Sequence, residues 1–215
     1  MVRMRTLRRA ALAALVLAAA ALPLGCAKRS NEIPVGVYGS LTGTTATFGI
    51  STKQGTELFV DNLNAAGGIG GTKIQTFVED DRSLPEEAAT AVTKLIDQNG
   101  VIAVLGEVAS SRSMAAAPVC QQAGVPMISP SSTNPRVTEL GDNIFRVCFI
   151  DPFQGQMIAK FAKNTLHFNR AAVLRDNKND YSVGLANYFT QAYQALGGTV
   201  VIDDAYSEGD QDFKA

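Results

Sequence analysis

The chain has 215 residues, a formal net charge of −1, one His, no Trp and three Cys. Its Lys and Arg are scattered, which excludes the clustered basic footprint that nucleic-acid binding requires. With 46% hydrophobic residues it has ample material for a packed globular core.

Met1 to Arg9 is basic, and Ala10 to Leu22 is almost wholly Ala, Leu and Val. That apolar run has the length of an export-signal core and is too short to span a bilayer. Removing residues 1–25 takes away four arginines and no acid, so the net charge goes from −1 to −5. Leu22-Pro23-Leu24-Gly25-Cys26 resembles a bacterial lipoprotein signal, in which Cys26 is diacylated and becomes the mature N-terminus. Pro23 departs from the usual Leu, and ordinary cleavage within the Ala-rich run is the alternative. A lipid on Cys26 would tether the domain to a membrane surface without inserting protein. Residues 26–32 read as a polar tether.

Ile33 to Tyr38 is the first predicted strand, with Pro34 tolerated at its beginning. Ser40 to Gly49 is a hydroxyl-rich loop. A helix follows from about Ile50 to Ala65, with Leu58, Phe59, Asn62, Leu63 and Ala65 at core spacing. The glycines from Gly67 to Gly71 stop it and do not form a phosphate-binding loop. Thr72 to Val78 is the second strand. Glu79-Asp80-Asp81 at its end has no partner His or second acid cluster, so it reads as structural. Ser83 and Glu86 have capping-box spacing before the apolar stripe Ala88, Ala91, Val92, Leu95 and Ile96.

Val101 to Leu105 is a buried strand by length and β-branching. Ala109-Ser110-Ser111 opens a helix reaching Gln122. Gly124-Val125-Pro126 breaks it, Met127-Ile128 is the next strand, and Ser129 to Pro135 is a second hydroxyl-rich loop. In an open parallel sheet, loops at the carboxyl ends of strands line the ligand crevice. A helix N-terminus there suits a carboxylate, and hydroxyls add rotatable donors and acceptors. The stretch offers no strong nucleophile, metal ligand or base. It is built to hold a small polar ligand, not to transform it; the plainer alternative is a helix cap and a turn.

Strand–helix alternation continues with a strand from Ile144 to Cys148, a helix from Asp151 to about Thr165, a strand from Arg170 to Leu174, a helix from Tyr181 to Leu196 and a strand from Thr199 to Ile202. That order predicts an α/β fold with parallel sheets. Asp203 to Ala215 reads as a loop entering a further helix. His167 stands without an oriented partner and is taken as structural, and Cys120 and Cys148 as two separate buried thiols. Two strands after the Asp151 helix are too few for their own core, so the chain is expected to be a fragment of a longer protein.

The runs PVGVYGSLTGTTATFG, LFVDNLNAAGGIGG, VEDDRSLPEEAA, GEVASSRSMAAAP, GVPMISPSSTNP and FRVCFIDPFQGQ closely resemble the periplasmic leucine/isoleucine/valine-binding proteins, type I periplasmic binding proteins of ABC importers. The resemblance runs from Ile33 to Phe213 and covers the first half of a family chain. It implies two Rossmann-like lobes closing on ligand: residues 33–148 as the first lobe, and 149–215 as the hinge crossing and the start of an incomplete second lobe. By the same resemblance, Ser110, flanked by Ala109 and Ser111, meets the ligand carboxylate. Ser131 and Thr133 supply a backbone carbonyl to the ammonium and a hydroxyl to the ligand. Phe48 packs on the ligand side chain, and Tyr181 approaches from the second lobe. The family's ammonium-pairing acid falls beyond Ala215, and its disulfide is absent because Asp81 and Ala109 are not Cys.

The resulting expectation is an extracytoplasmic, monomeric solute-binding subunit for ABC permease partners. It takes a small amino acid, branched-chain aliphatic first, with no catalysis, cofactor or metal. Amides, urea-like compounds and aromatic acids are the alternative ligands. A ligand-sensing input domain of the same fold is the alternative role. A nucleotide-dependent enzyme is disfavoured by the missing phosphate-binding glycines.

Overall fold

A computed structural model describes residues 31–213. The signal segment, Cys26 and its lipidation therefore lie outside the described residues. Among those described, no helix is long and apolar enough to cross a membrane. The elements in order are β1 (Ile33–Gly39), α1 (Ala46–Ala65), β2 (Ile74–Asp80), α2 (Pro85–Asp97), β3 (Ala103–Leu105), α3 (Ser110–Ala123), β4 (Met127–Ser129), α4 (Arg136–Glu139), β5 (Ile144–Arg146), α5 (Asp151–Lys160), β6 (Arg170–Asp176), α6 (Asp180–Ala195) and β7 (Thr199–Tyr206).

Five strands form one parallel sheet in the order β2-β1-β3-β4-β5, and β6 and β7 form a second parallel pair. β1 thus lies inside the first sheet, with β2 on one side and β3 on the other. The order reverses direction at β1, and ligands bind at such switch points. The first core is built from the apolar stripe of α2, with Ala88, Val92 and Leu95 fully buried, packed with Val104, Cys120 and Met127. α3 is closed by Gly124, which adopts φ 68° and donates its N–H to the carbonyls of Cys120 and Gln121.

The structure corrects several sequence expectations. α1 begins at Ala46, inside the segment read as loop, so Phe48 sits in a helical turn. Its expected core face points outward: Leu58 and Phe59 are each 65% exposed, and the fully buried positions are Gly49 and Val60. Asn64 sets this rotation. Its side chain bonds both the N–H and the C=O of Ile74, at 2.7 and 2.8 Å, and pins the helix to β2. The capping box does not form. α2 starts after Leu84, and Ser83, at φ 64°, turns its hydroxyl to the first loop. β3 shrinks to three residues, leaving Ile102 exposed. α5 passes into a π-helical turn over Phe161–Thr165, and β7 extends to Tyr206, where a loop toward another helix was expected. Cys120 is buried, but Cys148 is only half-buried; both are free.

Candidate functional site

A cleft of about 460 Å³ opens where the carboxyl ends of β3 and β4 meet the beginnings of α1, α5 and α6. Six sequence-predicted residues line it: Phe48, Ala109, Ser110, Ser131, Thr133 and Tyr181. Ser111 does not. Its side chain leaves the helix toward the second lobe, where its hydroxyl accepts the Asp180 N–H at 3.0 Å.

The hydrogen bonds fix what these groups can still offer. Ser110 Oγ accepts the Asn134 N–H at 3.2 Å, which leaves its proton available to an acceptor in the cleft. The Thr133 carbonyl accepts the Asp151 N–H at 2.9 Å. That carbonyl is therefore engaged, which leaves the Ser131 carbonyl for the ammonium; the Thr133 hydroxyl lies at the cleft and also faces the Asp151 carboxyl. The Tyr181 oxygen accepts from Gln154 Nε2 at 3.0 Å, so the phenol proton is also free to be donated. Phe48 and Phe149, 60% and 58% exposed, form apolar walls.

The helix N-terminus is less open than the sequence suggested. Glu107, 1% exposed, turns its carboxylate onto the Ala109 N–H and onto Ser40. The first amide of the α3 turn is thus held by the chain itself. The Arg112 guanidinium answers this charge, with Nε 3.2 Å from Glu107 and 3.8 Å from the buried Asp81. One of its terminal nitrogens donates to Thr45 Oγ1 at 2.8 Å. Burial pushes the Glu107 carboxyl above its ordinary value, against the pull of Arg112.

Hydroxyls tie the first-lobe part together. Ser40 Oγ donates to Asp81 at 2.7 Å, Thr45 Oγ1 donates to Ser40 and lies 3.0 Å from Ser83 Oγ, and Asp80 holds the Leu41 and Thr42 amides. Asp80 and Asp81, at the end of β2, thus brace the loop, while Glu79 pairs with Lys94 of α2. Among the described residues no group of three His, Cys, Asp or Glu gathers as a metal site. The arrangement offers aimed donors, one free carbonyl and aromatic walls, which suits reversible binding of a small ligand with polar and apolar ends.

Sequence reasoning missed Thr45, Val108, Arg112, Phe149, Gln154 and Asn179 as lining residues. Arg112 carried no signal, since it lies two residues along α3 from Ser110 and helical spacing does not put such a pair on one face. Gln154 and Phe149 lie in the run FRVCFIDPFQGQ and had no chemical pattern of their own.

The chain belongs to the periplasmic binding protein family, which it matches over residues 32–215. Membership implies an extracytoplasmic location. An amino acid binding protein of Pseudomonas aeruginosa is 37% identical over 86% of this chain and 49% of its own length. The Leu/Ile/Val-binding protein BraC3 of Rhizobium johnstonii is 34% identical over 86% of this chain and 50% of its own. The chain therefore spans about half the length of the curated relatives it matches. Among solved structures, the leucine binding protein LivK of Thermotoga maritima superposes with a TM-score of 0.79 at 39% identity, covering 84% of this chain and 51% of that one. LivJ of Streptococcus pneumoniae, in complex with isoleucine, gives 0.80 at 36%, covering 85% and 52%. A solute binding protein of R. palustris in complex with benzoate gives 0.76 at 26%, covering 85% and 50%. The fold is that of these type I periplasmic binding proteins.

Proposed function

We propose that this protein is the solute-binding subunit of an ABC importer, holding a small amino acid between two lobes and releasing it unchanged. The observation that carries this is the Ser110 hydroxyl. It lines the cleft with its acceptor side engaged by Asn134 and its proton left for the ligand carboxylate. In this reading the Ser131 carbonyl takes the ammonium, and Phe48 and Phe149 pack against an aliphatic side chain. The amino acid and Leu/Ile/Val-binding relatives support a branched-chain ligand. Permease subunits are the partners this role requires, with a monomer as the working form and Cys26 as the lipid anchor.

Calorimetry on the whole protein with isoleucine, leucine and valine tests the reading. Binding is expected, and Ser110→Ala or Thr133→Ala should each weaken it by about 1–3 kcal/mol, from lost or orphaned hydrogen bonds. Absence of binding by the native protein, or unchanged affinity in both variants, overturns it. The aromatic walls Phe48, Phe149 and Tyr181 favour one competing ligand class, an aromatic carboxylate. Benzoate binding in place of the aliphatic amino acids would select it.

A further inference from the structure

Asn134 closes the hydroxyl-rich loop after β4 and is 6% exposed. It does not line the cleft, yet it touches both lobes. Its backbone N–H donates to Ser110 Oγ at 3.2 Å, and its carbonyl accepts from Arg146 at 2.6 Å. Its side-chain oxygen accepts the Arg136 N–H at 3.0 Å. That bond fixes the amide orientation and turns Nδ2 toward the carbonyl of Asp180, to which it donates at 3.0 Å.

Asp180 is the first residue of α6, and its own N–H donates to Ser111 Oγ at 3.0 Å. Both backbone groups of this second-lobe residue are therefore held by the first lobe. One partner, Ser111, is the chain neighbour of Ser110, and the other, Asn134, is hydrogen-bonded to it. The next residue along α6, Tyr181, faces the cleft. A turn further on, Gly184 lies so close that an added Cβ would stand 3.0 Å from Asn134 Nδ2 and 3.3 Å from Asp151 Oδ2. Glycine is what lets α6 approach near enough for the Asp180 carbonyl to be reached.

We propose that Asn134 is a positioning residue, coupling the seating of α6 to the aim of the Ser110 hydroxyl; the proposal rests on the reading of the cleft given above. Its side chain reports on the second lobe while its backbone holds the ligand donor. When the lobes part, Asn134 Nδ2 and Ser111 Oγ both lose their partners, and the loop carrying Ser131 and Thr133 is released from one of its anchors. When they close, the same residue is clamped at both ends. The coupling affects how long a ligand stays and leaves unchanged which ligand is preferred.

The test uses the whole protein with isoleucine as the probe. Asn134→Ala keeps the backbone bond to Ser110 and removes the two side-chain bonds, to the Asp180 carbonyl across the lobes and to the Arg136 N–H within the loop. Gly184→Ala presses on the same amide from the other lobe. Each is expected to raise the Kd about tenfold, almost entirely through faster dissociation. The ratio of isoleucine to valine affinity should stay unchanged. Ser111→Ala should cost less in the Asn134→Ala background than alone, because both bonds hold one residue. Hydrogen exchange at the Asp180 amide gives a readout that needs no ligand: protection in the native protein, lost in Ser111→Ala. Unchanged dissociation in both Asn134→Ala and Gly184→Ala overturns the proposal, as does a shifted selectivity ratio or an unprotected Asp180 amide. A native protein that ignores isoleucine but protects Asp180 overturns the ligand assignment alone. A urea melt of each variant separates misfolding from loss of coupling.

Discussion

Gln154 Nε2 donates to the Tyr181 phenol oxygen at 3.0 Å, joining the first turns of α5 and α6 across the wall of the cleft. The amide fills one acceptor position of the phenol and leaves its proton directed elsewhere. Gln154→Ala should therefore free the ring and weaken ligand binding by about 0.5–1.5 kcal/mol, the net worth of one such bond. Tyr181→Phe should weaken it similarly, and the double variant should fall short of the sum. Calorimetric titration of the three variants checks this.

Arg112 is the cation of a buried cluster holding two carboxylates, Glu107 and Asp81. Removing one partner of such a group strands the others in low dielectric. Arg112→Met is expected to destabilise the fold by about 3–5 kcal/mol, read from urea unfolding midpoints. Substituting Arg82, whose contact with Glu87 is exposed at 3.7 Å, should change stability by under about 1 kcal/mol.

Gly49 brings α1 against the end of β1. A Cβ built there would lie 2.1 Å from the Ser40 carbonyl oxygen, a backbone atom that cannot swing aside. Gly49→Ala should cost about 1–3 kcal/mol in stability, as other overpacking changes do. It should also weaken ligand binding, because Phe48 is its immediate neighbour and lines the cleft. Thermal melts and titration together test both halves.

Asp151, the first residue of α5, is fully buried, and burial pushes its carboxyl above the ordinary value of 3.8, against the Thr133 hydroxyl and Arg146. A raised folded-state pKa favours the fold while the group is protonated in both states. That contribution is present below the ordinary value and is lost as pH rises through the folded value. Asp151→Asn should remove the loss: relative to native, the variant should gain stability between about pH 3.5 and pH 7. Denaturant melts at both pH values decide it. A native–variant difference that does not change with pH would contradict the assignment.

The alternation of strands and helices was legible because the core of each unit is local: the α2 stripe and the β3 run carry their own periodicity. The rotation of α1 was not, because Asn64 sets it through a bond to Ile74, and a polar residue that pins a helix leaves no mark in an apolar pattern. Ser110, Ser131, Thr133, Phe48 and Tyr181 were readable as a group through the motifs around them. Their surroundings were not. Ser111 turned to the second lobe depends on Asp180, and the Glu107 carboxylate is shared between the nearby Ala109 amide and the distant Ser40, so both rest on contacts between segments dozens of residues apart. The capping box failed for a related reason: the Ser83 hydroxyl finds Thr42 and Thr45, a tertiary bond that outcompetes the local one.

The Ser40, Asp81, Thr45 and Ser83 tie gives the first lobe's share of the cleft little freedom to lose. Groups already frozen during folding add no entropy penalty when a guest arrives. A wall so braced does not reshape itself around a different guest, so adaptation falls to the facing wall, where Gln154, Asn179 and Tyr181 are carried by helix beginnings instead of a braced sheet edge. Directed evolution toward a new cargo would accordingly do best by starting from those three positions.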